Sequence, residues 1–202
     1  MTELQVHFRR TDQRDHAVLI EAVAAFAGVD PADVQLRRRC ARCGSTSHGK
    51  PEVVSPRSAD GGQLHASLSR TPGFAAAVVT DVAPIGLDIE RVDRVARAPI
   101  DLHQTEQAAL AELADADQPR RLTLLWTVKE AALKATGDGL NVDPASLAIE
   151  LGDDERPTLS DGPDGLLRVG SPTITTFDPE PGVLAAIVLL GRHPAPTVRV
   201  IR

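Results

Sequence analysis

The middle of the chain joins short strand patterns by tight turns, and this limits the possible folds more than any other feature. Leu64–Leu68 alternates weakly, Phe74–Thr80 is continuously apolar, and Ile85–Glu90 alternates cleanly between apolar and polar residues. Turns are predicted at Thr71–Gly73 and Ala83–Pro84, because proline and glycine interrupt strands. Hairpins of this kind, with no regular strand–helix–strand order, predict an α+β fold.

Helix patterns lie on both sides of these strands. Residues 14–27 are amphipathic and end at Gly28. A second helix is predicted over Thr105–Ala116 with Thr105 as its N-cap, and a third from about Pro119 to Gly137. Residues 40–62 and Gly152–Asp164 have loop composition. The other predicted strands are residues 34–39, Ser146–Leu151, Leu166–Val169, Thr173–Phe177 and Val183–Leu190.

Composition excludes several classes of protein. The chain has 202 residues, of which 42% are hydrophobic, so it can bury a core without disulfides or metals. Its longest apolar run, Gly182–Gly191, is about half a bilayer span. The polar N-terminus has no apolar signal-peptide core, so we expect a cytoplasmic protein with no membrane association. The net charge of −6 argues against a general nucleic-acid binder.

A basic segment interrupts this acidic chain between Val34 and Pro51. Gly49 and Lys50 suit phosphate binding, because they combine a permissive backbone with a cation. Ser67, Ser69 and Arg70 could add further donors, whereas Arg37–Arg39 is more simply explained as a solvated face. Cys40 and Cys43 are too close to staple a fold and are expected to be thiols. With His48 they are also too few for a structural zinc site.

The strand Ile85–Glu90 places two carboxylates on one face. Asp88 and Glu90 would lie about 7 Å apart, with Gly86 on the same face leaving room for a close approach to the backbone. Hard oxygen ligands at this spacing suit Mg²⁺, especially if substrate phosphates complete its shell. The alternative is a solvated strand face balanced by the arginines that follow.

The segment Leu122–Gly137 is a helix with lysines in unusual places. Lys129 falls in the middle of the apolar face, where an ordinary amphipathic helix has none. Glu130 and Lys134 are neighbours four positions apart. A snorkelling lysine and a surface ion pair would explain them, with Trp126 anchoring the helix in the core. The alternative is a carboxylate that acts as metal ligand or general base beside lysines that hold phosphate.

Four segments in order resemble the 4′-phosphopantetheinyl transferase superfamily, in its larger single-chain type with a broad range of carrier proteins. They are HGKP (His48–Pro51), SLS (Ser67–Ser69), GLDIE (Gly86–Glu90) and WTVKEAALKATG (Trp126–Gly137). The resemblance covers about residues 34–140. The last two motifs are specific to the family, and the flanking segments are not.

The resemblance implies a pseudo-dimer of two similar α+β halves, with coenzyme A in the cleft between them. The N-terminal half, residues 1–100, would hold the nucleotide and the carboxylate strand. The C-terminal half, residues 101–202, would hold the KEA helix. A chain that supplies both halves is expected to be a monomer.

The implied reaction transfers 4′-phosphopantetheine from coenzyme A to a serine of an apo acyl- or peptidyl-carrier protein and releases 3′,5′-ADP. It would depend on Mg²⁺, with Mn²⁺ possible. The carrier could belong to a fatty-acid, polyketide or nonribosomal-peptide system of secondary metabolism, and the sequence does not indicate which.

The resemblance also implies roles for single residues. Asp88, Glu90 and Glu130 would bind the metal, and Glu130 would also be the general base. Lys134 would contact the transferred phosphate, and Glu106 matches an acidic position ahead of the KEA helix that we assign to catalysis. The residues implied to bind the coenzyme are His48, Lys50, Ser69, Arg70, Lys129 and Lys134.

The chain departs from the family pattern at Arg70, and two alternative functions stay open. Arg70 stands where the family often has a histidine that contacts the ribose phosphate, so retained binding with altered geometry is expected. The chain could instead be another Mg²⁺-dependent phosphate enzyme, such as a nucleotide hydrolase. It could also be a catalytically degenerate member that binds coenzyme A, although its three metal-ligand candidates argue against this.

Overall fold

The computed structural model describes residues 3–12, 16–38, 40, 43–46, 49–137, 139–152, 154–162 and 171–202. Helices and hairpin-linked strands are mixed along it, which confirms the predicted α+β fold. The helices of this part of the chain are α1 (Ala17–Ala27), α2 (Val92–Val95), α3 (Gln104–Ala111) and α4 (Gln118–Thr136). Short 3-10 helices cover Pro31–Asp33, Gly139–Asn141 and Pro144–Ser146.

The strands fall into four sheets within the described residues. They are β1 (Glu3–Arg10), β2 (Gln35–Arg38), β3 (Pro51–Ser55), β4 (His65–Thr71), β5 (Phe74–Thr80), β6 (Ile85–Arg91), β7 (Ala148–Leu151), β8 (Pro157–Asp161), β9 (Thr173–Glu180), β10 (Val183–Leu189) and β11 (Thr197–Ile201). One sheet has the order β11-β1-β5-β4 and another the order β6-β10-β9. Two-stranded sheets pair β2 with β3 and β7 with β8.

The order of elements from β1 to β5 is repeated from β6 to β10. Each repeat has a first strand, a long helix, a 3-10 helix, a two-stranded sheet and a hairpin, and the second adds α2, α3 and the 3-10 helix Gly139–Asn141. In both, the first strand pairs with the last, giving the orders β1-β5-β4 and β6-β10-β9. This arrangement confirms two similar α+β halves. The second repeat begins at Ile85, and the expected division near residue 100 stays a prediction.

A short sequence repeat marks the same position in both halves. Val29–Ala32 and Val142–Ala145 both read Val-Asp-Pro-Ala. Asp30 accepts a hydrogen bond from the amide of Ala32 at 2.8 Å, and Asp143 accepts one from the amide two residues later at 2.9 Å. The aspartate therefore caps the 3-10 helix in the same way in each half.

Strand β6 lies between two hydrophobic cores. Ile85, Leu87 and Ile89 are each 0% exposed and pack with β1, β5 and β10, which confirms the predicted inward face. Helix α4 covers the opposite face and forms the second core with β10. A Cβ atom on Gly86 would lie 1.8 Å from the carbonyl oxygen of Ala131. The room that Gly86 leaves is therefore filled by helix α4.

The helix ends predicted from the sequence are correct for α4 and wrong for the N-cap of α3. Helix α4 has proline in its first turn and ends at Gly137 in the left-handed conformation, as predicted. Helix α3 begins one residue before Thr105, and its N-cap is His103. The His103 ring accepts a hydrogen bond from the amide of Thr105, and Glu106 closes the capping box. The prediction of Thr105 as N-cap was wrong.

Two other predictions need correction. Trp126 is half-buried and does not belong to the core against which helix α4 packs, so it does not anchor that helix. Strands β1, β3, β8 and β11 were missed, although Leu4, Val6 and Phe8 of β1 alternate with polar residues as a half-buried strand requires. The predicted strand Leu166–Val169 lies outside the described residues.

Two further predictions concern cysteines and membranes. Cys40 and Cys43 do not form a disulfide, as expected for thiols. Within the part of the chain that the structure describes, no helix has both the length and the apolar character needed to cross a membrane.

Candidate active site

The carboxylate strand and the lysine helix meet in one site. The Nζ atom of Lys134 on α4 lies 2.5 Å from Oδ1 of Asp88 on β6, although the two residues are 46 positions apart. Gly86 permits this contact, because its missing side chain lets helix α4 approach β6 closely. The interpretation of the two motifs as parts of one site is supported by this geometry.

Asp88 has one carboxylate oxygen in use and one without a partner. It is 3% exposed, and its Oδ1 accepts hydrogen bonds from Lys134 and from Ser69 Oγ, the latter at 2.7 Å. Its Oδ2 is buried and has no hydrogen-bond partner among the described residues. Since a buried oxygen of this kind is costly to leave unpaired, it calls for a cation or another donor.

Two further carboxylates lie within the electrostatic reach of Asp88. Burial, and then the charge of Asp88, raises the pKa of Glu90 to about 7, although the Thr71 hydroxyl donates to its Oε2 at 2.9 Å. Burial and the same charge also raise the pKa of Glu130, while Lys134 opposes the shift. The site therefore concentrates negative charge in a partly desolvated environment, and a bound cation would offset that charge.

The donor set fits Mg²⁺ in its chemistry. Among the described residues, no group of at least three His, Cys, Asp or Glu side chains is already arranged to hold a metal ion. Asp88, Glu90 and Glu130 nevertheless offer the hard oxygen atoms that Mg²⁺ prefers, and Asp88 Oδ2 has no competing partner there. The residues present thus fit the ion that the motifs imply.

Lys50, in the basic segment, contacts the backbone of both elements that carry the site. Its ammonium donates to the carbonyl oxygens of Ile85 at 3.1 Å and Ala135 at 2.7 Å, at the start of β6 and near the end of α4. Burial lowers the pKa of Lys50 to about 8. His48, the other predicted residue of this motif, lies outside the described residues.

The charges of two arginines interact beside β4. Arg70 is half-buried and follows Ser69, and the pKa of Arg38 on β2 is lowered by burial and by the charge of Arg70. The Nε atom of Arg38 is buried and has no hydrogen-bond partner among the described residues. Adjacent guanidinium groups suit an anion such as phosphate. The sequence alone favours a solvated face for Arg38, because a strand pattern does not reveal the charge of Arg70 on another strand.

Lys129 and Glu106 form a separate buried pair. Lys129 is 0% exposed, and its Nζ lies 2.6 Å from Glu106 and donates to the carbonyl oxygens of Pro144 and Leu147 at 2.9 and 2.8 Å. Glu106 accepts from the amide of Ile149 at 2.8 Å. Burial lowers the pKa of Lys129. These contacts join α3, α4 and β7, and they do not bring either residue to the cluster around Asp88.

The raised pKa of Glu90 leads to a prediction about pH. Between its ordinary value of 4.5 and about 7, the folded protein binds more protons at Glu90 than the unfolded chain does. This group therefore makes folding less favourable as pH rises through that range. We expect Glu90→Gln, in EDTA, to raise the melting temperature relative to wild type more at pH 8 than at pH 5. Identical pH profiles for the two proteins would contradict the shift.

Comparison with known proteins agrees with the motifs. Residues 84–179 match the model of the 4′-phosphopantetheinyl transferase superfamily. The 4′-phosphopantetheinyl transferase HetI of Nostoc sp. is 30% identical over 136 residues, which are 65% of this chain and 54% of the relative. A 4′-phosphopantetheinyl transferase of Bacillus subtilis is 30% identical over 154 residues, which are 73% of this chain and 61% of the relative.

This chain therefore spans little more than half the length of these curated relatives. Among solved structures, the holo-acyl-carrier-protein synthase of Neisseria meningitidis aligns over 54% of this chain and 98% of its own, with 20% identity and a TM-score of 0.47. The family model covers both β6 and α4, which carry the carboxylates and the lysines. Over residues 84–179, which carry both motifs, the chain therefore matches the 4′-phosphopantetheinyl transferase superfamily.

Proposed function

We propose that the protein transfers 4′-phosphopantetheine from coenzyme A to a serine of an apo acyl- or peptidyl-carrier protein and releases 3′,5′-ADP. The observation that carries this proposal is the contact between Lys134 and Asp88, which unites the two family motifs in one site. The relatives named as 4′-phosphopantetheinyl transferases support the same reaction class.

Asp88, Glu90 and Glu130 would hold Mg²⁺, with Mn²⁺ as a possible substitute. When bound, the ion would neutralise charge on the pyrophosphate of coenzyme A. The electrostatics of the site support this assignment, since the charge of Asp88 raises the pKa of both glutamates.

Glu130 would accept the proton of the carrier serine. The serine oxygen would attack the β-phosphorus of coenzyme A and form the new phosphodiester, while the bond from that phosphorus to the bridging oxygen breaks. The electron pair of the broken bond would leave with 3′,5′-ADP. Partial burial supports Glu130 in this role, because the resulting higher pKa makes it a better proton acceptor than an exposed glutamate.

The cations around the cleft would bind the anionic substrate. Lys134 would contact the transferred phosphate and stabilise the leaving group, and its side chain is 28% exposed and thus accessible. Lys50 would lie near the nucleotide together with His48. Arg70 and Arg38 would bind a phosphate of the coenzyme. Lys129 has no exposed surface for such a contact, so we do not retain it as a coenzyme ligand.

Intact mass spectrometry would test the reaction. We expect an apo carrier protein to gain one phosphopantetheine when incubated with this protein, coenzyme A and Mg²⁺, and to gain none in EDTA. Carriers of fatty-acid, polyketide and nonribosomal-peptide systems should be compared. Failure of every carrier together with binding of coenzyme A would favour a degenerate member. Release of 3′,5′-ADP without carrier modification would favour a nucleotide hydrolase.

The proposal also includes the subtype of the protein, its oligomeric state and its location. We assign the chain to the larger single-chain type of the family, acting as a monomer in the cytoplasm without nucleic acid or membrane partners. The pathway that supplies its carrier, secondary metabolism included, would follow from the carrier comparison.

A further inference from the structure

Strand β4 directs a row of hydroxyl groups at β6. We call this the hydroxyl row, and it consists of Ser67, Ser69 and Thr71, which alternate along the strand and therefore share one face. Their exposed fractions are 3%, 3% and 6%. Buried hydroxyls require hydrogen-bond partners, and all three find them on β6.

The hydroxyl row satisfies the free edge of β6. One edge of β6 pairs with β10, and β4 belongs to a different sheet. At the other edge, the amide of Leu87 donates to Ser67 Oγ at 2.9 Å and the amide of Ile89 donates to Ser69 Oγ at 3.2 Å. Side-chain hydroxyls thus replace a neighbouring strand where the two halves of the molecule meet.

Two members of the hydroxyl row also bind carboxylates. Ser69 donates to Asp88 Oδ1 at 2.7 Å, and Thr71 donates to Glu90 Oε2. Ser67 contacts no carboxylate among the described residues; its contact on β6 is the amide of Leu87. The hydroxyl row therefore contains a built-in comparison between Ser69, which does both tasks, and Ser67, which does one.

The hydrogen-bonding capacity of Ser69 is fully used. Its oxygen donates to Asp88 and accepts from the amide of Ile89 and from Lys134 Nζ, the last at 3.0 Å. The side chains of Asp88 and Lys134 are thereby both held in position relative to β6. With Oδ1 of Asp88 tied in this way, the carboxylate can present only its Oδ2, which has no described partner.

We infer that Ser69 is a positioning residue that fixes Asp88 so that Oδ2 faces a divalent cation. The inference rests on the proposed function only in using the cation site. It assigns Ser69 to the carboxylate and not to coenzyme A, the contact expected from the sequence, because its hydroxyl has no bonding capacity left for the coenzyme.

The test compares Ser69→Ala with Ser67→Ala. Each variant removes the acceptor of one buried β6 amide, so both should lower the melting temperature in EDTA, and Ser69→Ala should do so by at least as much as Ser67→Ala because it also loses the bonds to Asp88 and Lys134. Only Ser69→Ala frees Asp88. We expect it to weaken Mn²⁺ binding about tenfold or more, measured by isothermal titration without carrier protein, while Ser67→Ala keeps the wild-type affinity. Ser69→Thr, which restores a hydroxyl, should recover most of the loss.

Several results would overturn the inference. Equal Mn²⁺ affinity in Ser69→Ala and Ser67→Ala would show that the hydroxyl has only a structural role. A wild-type protein that binds no Mn²⁺, with or without coenzyme A, would also refute it. If Ser69→Ala does not fold, Ser69→Cys keeps the volume with a weaker donor and must still weaken Mn²⁺ binding. Failure of the proposed function is distinct, since wild type would then bind Mn²⁺ and modify no carrier.

Discussion

Replacement of Glu130 by glutamine is expected to lower the rate of carrier modification by about two to four orders of magnitude. Glutamine keeps the shape of the side chain and removes both the charge and the ability to accept a proton. The pKa of Glu130 is raised by burial and by Asp88, so its negative charge opposes folding at neutral pH. The variant should therefore fold at least as well as wild type.

The matched control is Glu112→Gln. Glu112 is exposed at the end of helix α3, and the same chemical change there should leave the rate unaltered. Rates would be measured from the mass of the carrier over time, with the melting temperature of each variant as a check on folding. A rate for Glu130→Gln within a few fold of wild type would remove Glu130 from the mechanism.

Replacement of Lys129 by methionine is expected to have the largest effect on stability. The variant leaves Glu106 as a buried carboxylate at 2% exposure, and it leaves the carbonyl oxygens of Pro144 and Leu147 without their donor. Breaking a buried pair by removing one partner costs about 3–5 kcal/mol. That is a large part of the total stability of a typical domain. Urea unfolding of wild type and variant would measure the loss.

A double-mutant cycle identifies the cause of this loss. Glu106→Gln combined with Lys129→Met removes both charges, so the double variant should be less destabilised than the sum of the single variants. Additive losses would show that the two residues act independently. A stable Lys129→Met protein that no longer binds coenzyme A would instead restore the role that the family resemblance implies for Lys129.

The position of Lys129 shows what helical periodicity can predict and what it cannot. The helical pattern placed it correctly on the apolar face of α4, since that depends only on the geometry of a helix. Its partner, Glu106, comes from the first turn of another helix, and the two carbonyl groups come from the segment before β7. Nothing local in the sequence links these groups, so the pair could not be predicted, and the family resemblance implied a phosphate contact for Lys129 instead.

The faces of strand β6, by contrast, could be predicted from its own residues. The alternation of Ile85–Glu90 was sufficient to separate the face with Ile85, Leu87 and Ile89 from the face with the carboxylates, because successive side chains of a strand point to opposite sides. The spacing of Glu130 and Lys134 likewise placed them together at the edge of helix α4. Strand β1 was missed although Leu4, Val6 and Phe8 alternate with polar residues, and its parallel pairing with β11 joins distant parts of the chain and is not visible in either segment.

The sequence by itself determined the α+β class and the faces of β6 and α4. It also determined that one motif supplies carboxylates and the other supplies lysines and a glutamate. These follow from local backbone geometry and from motifs of consecutive residues. The tertiary structure alone decided that Gly86 makes room for helix α4, that Lys129 pairs with Glu106, and that Ser69 binds Asp88. Each of these depends on how closely separate elements pack, a distance set by the whole core and not by any one segment.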